Sequence, residues 1–214
     1  MIKTLAFVLL TVVGTTAFGQ DYFGLRVGTN TVDITKSDAD HKMTRFIGGV
    51  TAEHFVGDNF SIGADLLYNQ RGGNSVVTAS DLNSTQRITS KLRYDYLSIP
   101  LKASAYFTEK KLLFVSIGLM PSFVVHATVT SPTYTLGGTT YPGSTRKANE
   151  LQSFDLSAQI EAGLNFPINE KYSFFLLGSF QRGFTKVYKG NAFFDGKVYN
   201  YGIVSTVGVK MKLQ

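Results

Sequence analysis

At 214 residues the chain is long enough for one domain or two small ones. Its 17% charged residues, 21 glycines and 13% aromatics suit a β-rich fold better than a helical or disordered one. The net charge of +6 is scattered without a run of four basic residues, which argues against a nucleic-acid partner. Cysteine is absent, so disulfides, thiolate metal sites and cysteine nucleophiles are excluded.

Met1-Ile2-Lys3 is a short basic start. Leu5 to Val13 follows as an apolar core too short to span a bilayer. Small residues at Ala17 and Gly19 complete a secretory signal peptide over 1–19, with cleavage after Gly19. Residues 20–214 are then one domain. No later stretch has 18 consecutive apolar residues, so no transmembrane helix is expected.

Eight β-like runs follow: Tyr22–Asn30, Thr44–Val56, Phe60–Gly72, Lys91–Phe107, Leu112–Thr128, Leu151–Pro167, Tyr172–Lys186 and Val198–Leu213. They exceed the length common in soluble sheets. Their connections alternate. Thr31–Met43, Gly73–Ser90, Val129–Glu150 and Val187–Lys197 are long and polar, whereas Gly57–Asn59, Thr108–Lys111 and Ile168–Lys171 are short. Long loops at one end of every hairpin and tight turns at the other fit an outer-membrane barrel with an even strand number.

The faces agree. From Phe154 to Phe166 the residues Phe154, Leu156, Ala158, Ile160, Ala162, Leu164 and Phe166 alternate with Asp155, Ser157, Gln159, Glu161, Gly163 and Asn165. The polar face carries glycine, serine and isolated charges of both signs, as a narrow crowded interior requires. Aromatic belts are expected at both ends of the apolar band. Near the short turns lie Phe55, Phe60, Tyr106, Phe107, Phe114, Phe166 and Tyr172; near the long loops lie Phe46, Tyr68, Tyr94, Phe123, Phe154, Phe184 and Tyr201. The expected fold is all-β: an eight-stranded antiparallel up-and-down transmembrane β-barrel in a Gram-negative outer membrane, with membrane lipid as its first partner.

One stretch is awkward. In Leu97–Phe107 the apolar residues alternate with Ser98, Pro100, Lys102, Ser104 and Tyr106. Lys102 is expected to point into the lumen, towards Glu161 or Asp65. Pro100 cannot donate to a ladder and a closed barrel has no edge, so a bulge is expected there.

Tyr96-Leu97-Ser98-Ile99-Pro100-Leu101-Lys102 resembles the Y-L-x-I/L-P-L segment of the Bacteroidetes outer-membrane β-barrel family that includes PorT-like proteins. Ser116–Pro121 and Phe154–Leu164 are similar to later strands of that family. The resemblance implies an eight-stranded outer-membrane barrel, with PorT-like members linked to secretion and gliding.

Eight strands leave a lumen just wide enough for side chains. The inward set is expected to include Arg26, Glu53, Asp65, Arg71, Lys102, Asp155, Glu161 and Lys210. Four acids face four bases there, which predicts a salt-bridged plug. No catalytic, cofactor or metal site is expected. His126, with Ser122 and Ser131 along the chain, is the best-placed histidine; His41 lies beside Asp38 and Asp40, and His54 near a short turn. No G-x-S-x-G motif is present. Tyr134 and Tyr141 flank a hairpin tip at Gly137-Gly138 and form a candidate loop contact. The expected role is a non-catalytic anchor, adhesion or accessory component of a membrane assembly, meeting a protein partner through loops or turns. The alternatives are a small-solute channel or transporter, and a lipid-modifying enzyme.

Overall fold

The computed structural model describes residues 21–34, 43–81, 84–108, 110–149, 152–186 and 199–213. The expected signal peptide, His41 with its neighbouring aspartates, and the connection Val187–Lys197 lie outside the described residues.

Twelve strands form among the described residues: β1 Asp21–Ile34, β2 Met43–Phe55, β3 Phe60–Asp81, β4 Ser84–Ser98, β5 Leu101–Phe107, β6 Leu113–Ser131, β7 Tyr134–Leu136, β8 Thr139–Tyr141, β9 Ser144–Lys147, β10 Phe154–Pro167, β11 Tyr172–Gly183 and β12 Asn200–Lys212. β4 and β5 are two halves of one stave, and β9 hangs from the outer end of β6. Eight antiparallel staves therefore follow one another around a ring. β1 pairs β12 from Tyr22 opposite Lys212 to Ile34 opposite Asn200, which closes it.

Closure matters because every backbone N–H and C=O in lipid must find a partner within the protein. The side-chain period of two then sorts residues between lipid and lumen. On β10, Asp155, Ser157, Gln159, Glu161, Gly163 and Asn165 are buried while Phe154, Ile160, Leu164 and Phe166 are exposed. Ile160 and Ile203 leave 57% and 63% of their surface uncovered, which only a lipid surround makes favourable.

The short turns are chemically specific. Gly57 takes φ 99° after β2, and Val56 N–H donates to the Phe60 carbonyl at 2.8 Å. Between β5 and β6, Thr108 and Lys111 both adopt positive φ, and Leu112 N–H donates to Thr108 Oγ1 at 3.0 Å. Between β10 and β11, Asn169 Oδ1 accepts from the N–H groups of Lys171 and Tyr172 at 2.9 and 2.8 Å, an Asx turn.

Three expectations are corrected. Residues 73–81 and 84–90 form no open loop: β3 and β4 pair from Gly73 opposite Leu92 out to Asp81 opposite Ser84. Val76, Val77 and Thr78 stand opposite Thr89, Ile88 and Arg87, and β-branched residues extend a ladder without needing a membrane face. Second, there is no bulge at Pro100. Ser98 and Leu101 stand opposite Leu67 and Ala64 on one side, and Ser122 and Leu119 on the other, so the register passes through unchanged. The ladder is thinned instead. Asp65 N–H donates to the Pro100 carbonyl at 3.0 Å and Ile99 N–H to the Pro121 carbonyl at 2.8 Å, but neither proline returns a bond. The bulge lies higher, where the β4–β6 register shifts between Asp95 and Tyr96. There Val125 and His126 are both exposed, between inward-facing Val124 and Ala127.

Third, the aromatic belts differ in membership from those expected. Phe60, Phe107, Phe166 and Tyr172 face outward at the short-turn end, and Phe46, Tyr68, Phe123, Phe154 and Phe184 at the other. Phe55, Tyr106, Phe114 and Tyr94 are buried inside.

Candidate functional site: a layered lumen and a stacked rim hairpin

The eight inward charges sort into one quartet and two pairs. At mid-height β1, β3, β5 and β10 each contribute one member of the quartet. Arg26 Nη1 lies 2.7 Å from Asp65 and 3.4 Å from Glu161. Lys102 Nζ lies 3.1 Å from Asp65 and 3.6 Å from Glu161. Lys102 thus reaches both expected partners. Thr51 Oγ1 donates to the other Asp65 oxygen at 2.6 Å. Two cations against two carboxylates leave no net charge, the condition under which buried ions are tolerated.

Towards the short turns, Lys210 Nζ donates to Glu53 at 2.8 Å and to Tyr106 Oη at 2.9 Å. This pair sits among rings. Phe55, Tyr106, Phe114, Phe175 and Leu177 form one buried cluster, with Tyr22 packed against it. Successive centroids from Tyr22 to Phe55, Tyr106 and Phe114 lie 5.6, 4.9 and 5.3 Å apart, within the range of favourable ring contacts. Glycines make room for two of the rings: a Cβ on Gly163 or Gly208 would lie 2.4 or 2.3 Å from the Phe114 or Phe175 ring. In the turn below, Lys111 Nζ lies 3.9 Å from the Phe55 centroid. Burial there holds its ammonium pKa below the ordinary lysine value.

Towards the long loops, Arg71 Nη1 lies 2.8 Å from Asp155, and Arg71 Nη2 donates to Gln181 Oε1 at 3.2 Å. Asp155 also accepts from Ser157 at 3.1 Å, from Asn200 Nδ2 at 3.3 Å and from Thr185 Oγ1. The Arg71 guanidinium lies 5.1 Å from the Tyr96 centroid, and Tyr94 Oη donates to Asn200 Oδ1 at 3.2 Å. Leu92, Tyr94, Tyr96, Ala127 and Ala148 pack together beside this layer.

The sequence reading missed the rings inside. Parity alone carried the signal: Phe55 follows Glu53 by two, Tyr106 shares the face of Lys102, and Phe114 that of Ser116.

The histidine candidates do not form a dyad. His126 is exposed on the outer wall, while Ser122 is buried inside with its Oγ 2.8 Å from Ser98 Oγ. Ser131 Oγ lies 3.0 Å from Ser90 Oγ. His54 Nδ1 faces the Asp21 carboxylate. On the outer wall beside the bulge, Tyr68 Oη donates to Asp95 at 2.7 Å, and Arg93 grips the same carboxylate through two bonds of 3.1 Å.

At the rim, β7 and β8 form a hairpin across Gly137-Gly138, whose φ values are 58° and 78°. Tyr134 stands opposite Tyr141, with ring centroids 4.9 Å apart and planes 14° from parallel. β9 adds to β6 from Thr128 opposite Lys147 to Ser131 opposite Ser144, extending that wall beyond the bulge.

Comparison with known proteins agrees with this architecture. The sequence profile described as "Outer membrane protein beta-barrel domain" matches residues 18–189. No relative is found among curated proteins. Among solved structures, Neisserial surface protein A superposes with a TM-score of 0.50 at 14% identity, covering 90% of this chain and 97% of the other. OprG of Pseudomonas aeruginosa gives 0.47 at 12% identity over 92% and 98%. Ail of Yersinia pestis gives 0.47 at 10% over 91% and 99%. At such identities the likeness is one of fold.

Proposed function

Since this chain belongs to the outer membrane protein beta-barrel domain family, we propose that it is a closed, non-catalytic anchor whose working surface is its outer rim. The protein sits in the outer membrane of a Gram-negative cell. In such barrels short turns face the periplasm and long loops face outward.

The observation that carries the reading is the lumen. Side chains bridge it at three heights: Lys210 with Glu53 and Tyr106, the Arg26–Asp65–Lys102–Glu161 quartet, and Arg71 with Asp155. A narrow barrel filled this way is a rigid peg. Among the described residues, recognition would fall to the long β3–β4 hairpin and the tyrosine-stacked β7–β8 hairpin, and tyrosines among Ser, Thr and Gly make adaptable contact surfaces. The Tyr96–Lys102 segment further supports placing the chain with PorT-like barrels, as an accessory of a membrane machine. Planar-bilayer recording tests the closed lumen: the expected trace is flat, and steady large openings would overturn it. Cross-linking in intact cells tests the rim, with loss of the captured protein expected when residues 134–141 are deleted.

The second reading, passage of a small solute, is favoured by inward polar atoms on β10–β12 that have no protein partner. An enzymatic role in lipid modification is disfavoured by His126 and Ser122 lying on opposite faces. It predicts an altered lipid A mass profile on deletion, and we expect none.

A further inference from the structure

The outer wall carries an acid where a lipid-facing side chain would be expected. On β4, Asp95, Arg93 and Lys91 alternate with the inward Tyr96, Tyr94 and Leu92, so all three turn outward. Yet Asp95 is only 2% exposed. Tyr68 Oη covers it from one side and Arg93 from another, with Nε on one carboxylate oxygen and Nη2 on the other. Those two bonds use one edge of the guanidinium plane. The Nη1 edge is turned away from the carboxylate, and 43% of the Arg93 side chain stays uncovered.

Two more cations share this face. Lys91 is the next outward residue of β4, and Lys147 on β9 stands opposite Thr128, which itself stands opposite Arg93. Both lysines are exposed. Two strand spacings separate Arg93 from Lys147, roughly 10 Å, so their side chains can converge on one anion. Asp95 is the only acid on β4, β6 or β9, and Arg93 already holds it. The patch is therefore left positive. The wall of β10–β12 differs: near its outer end the outward row Ala158, Arg182 and Tyr201 has one cation.

Height decides what the patch meets. The β4–β5 stave turns Leu97 and Phe107 outward at the two ends of its apolar face. The span between them, at about 3.3 Å per residue and a tilt of about 40°, is about 25 Å, the height of a barrel's apolar band. Asp95, Arg93 and Lys91 then lie roughly 5, 10 and 15 Å past its outer edge. That is the level of the outer-leaflet headgroups. In a Gram-negative outer membrane those headgroups belong to phosphorylated glycolipid, and a guanidinium fork suits a phosphate better than any other group there.

We propose that Arg93, Lys91 and Lys147 form a docking site on the outer wall for the phosphate of one outer-leaflet glycolipid, with Asp95 and Tyr68 as positioning residues that aim the Arg93 guanidinium. The acyl chains of that lipid would run down the apolar wall below, over Leu97 and Phe123, both exposed. The site needs only the membrane placement and is independent of whether the lumen is closed.

The full-length protein is folded in neutral detergent, with heat-modifiable gel mobility confirming the fold of every variant. It is titrated with bisphosphorylated lipid A and with the same lipid stripped of its phosphates, and native mass spectrometry counts the lipid bound. The phosphorylated lipid is expected to bind at least about tenfold more tightly. Arg93→Gln, and Lys91→Gln combined with Lys147→Gln, should weaken it by about fivefold per cation removed. Arg182→Gln on the other wall should leave it unchanged. Equal affinity for the two lipids overturns the site, and so does an equal loss from Arg182→Gln. Arg93→Lys keeps the charge but cannot hold Asp95 and a phosphate on two edges at once, so it should recover only part of the loss. Full recovery overturns the aimed guanidinium. Displacement of the lipid by an equal concentration of inorganic phosphate makes this a small-anion site and overturns the lipid assignment. Current through the unaltered barrel would remove the closed-anchor reading and leave these results as they stand.

Discussion

The wall made of β10, β11 and β12 and the wall made of β4, β5 and β6 carry the same load and differ in regularity. β10 and β11 pair through eleven positions from Ser157 opposite Gly183 to Pro167 opposite Ser173, without a shift. On the neighbouring wall, Pro100 and Pro121 each withhold a donor and the register slips at Asp95. Yet both walls turn apolar side chains outward: Ile160, Leu164 and Phe180 on one, Leu101, Ile117 and Leu119 on the other. What a membrane stave needs is parity of side chains and a closed ring of partners, and it survives the loss of two ladder bonds. Among the described residues, the irregular wall also rises furthest, through the β3–β4 hairpin and β9.

That equivalence can be broken by charge. Leu101→Lys puts an ammonium into lipid beside the proline break, and Ile160→Lys does so on the regular wall. Each should destabilise the barrel by about 2–4 kcal/mol near the bilayer midplane. Urea unfolding in lipid vesicles measures both. A barrel indifferent to Leu101→Lys would remove that wall from the membrane. Next in size is Lys102→Leu. It leaves Glu161 facing Arg26 alone at 3.4 Å and should cost about 1–3 kcal/mol by the same assay, more than its half-buried position suggests. Restoring an amide at the break has a smaller effect. Pro100→Ala should shift stability by less than about 1 kcal/mol, because one regained ladder bond is offset by lost ring packing. Hydrogen exchange at that position should be slow, since the Asp65 carbonyl lies opposite. Smallest for the barrel is Tyr141→Ala. It removes a stacked pair worth about 0.5–1.5 kcal/mol to the β7–β8 hairpin and should leave the unfolding midpoint of the staves unchanged.

The two walls were not equally readable from sequence. On β10 the alternation of Asp155, Ser157, Gln159 and Glu161 with apolar residues is unbroken, and it fixes both faces at once. On β4 to β6 the same rule places Lys102 inside, but proline suggests a bulge that pairing on both neighbours excludes. The actual bulge at Val125 and His126 has no glycine or proline to announce it. Aromatics misled for another reason. A ring at a strand end suits a lipid interface and a lumen plug equally, and only its parity with Glu53, Lys102 or Ser116 distinguishes them. The charged residues themselves were legible, because few places on a membrane strand tolerate a charge. Which cation meets which carboxylate depends on how far staves distant in sequence are sheared against each other, as with Arg71 and Asp155. The rim hairpin was readable at Gly137-Gly138, where two consecutive positive φ values demand it.

The seam between β1 and β12 has a consequence in time. Tyr22 pairs with Lys212, so β1 cannot acquire its second neighbour until β12 has been delivered. Until then β1 shows an open edge, and each finished hairpin presents an apolar face without lipid beside it. Loop closure from β1 to β12 is slow relative to hairpin formation, and exposed edges aggregate. A chain built this way has a folding problem that ends only at its final strand, so its survival during export depends on whatever holds that edge apart until the ring can shut.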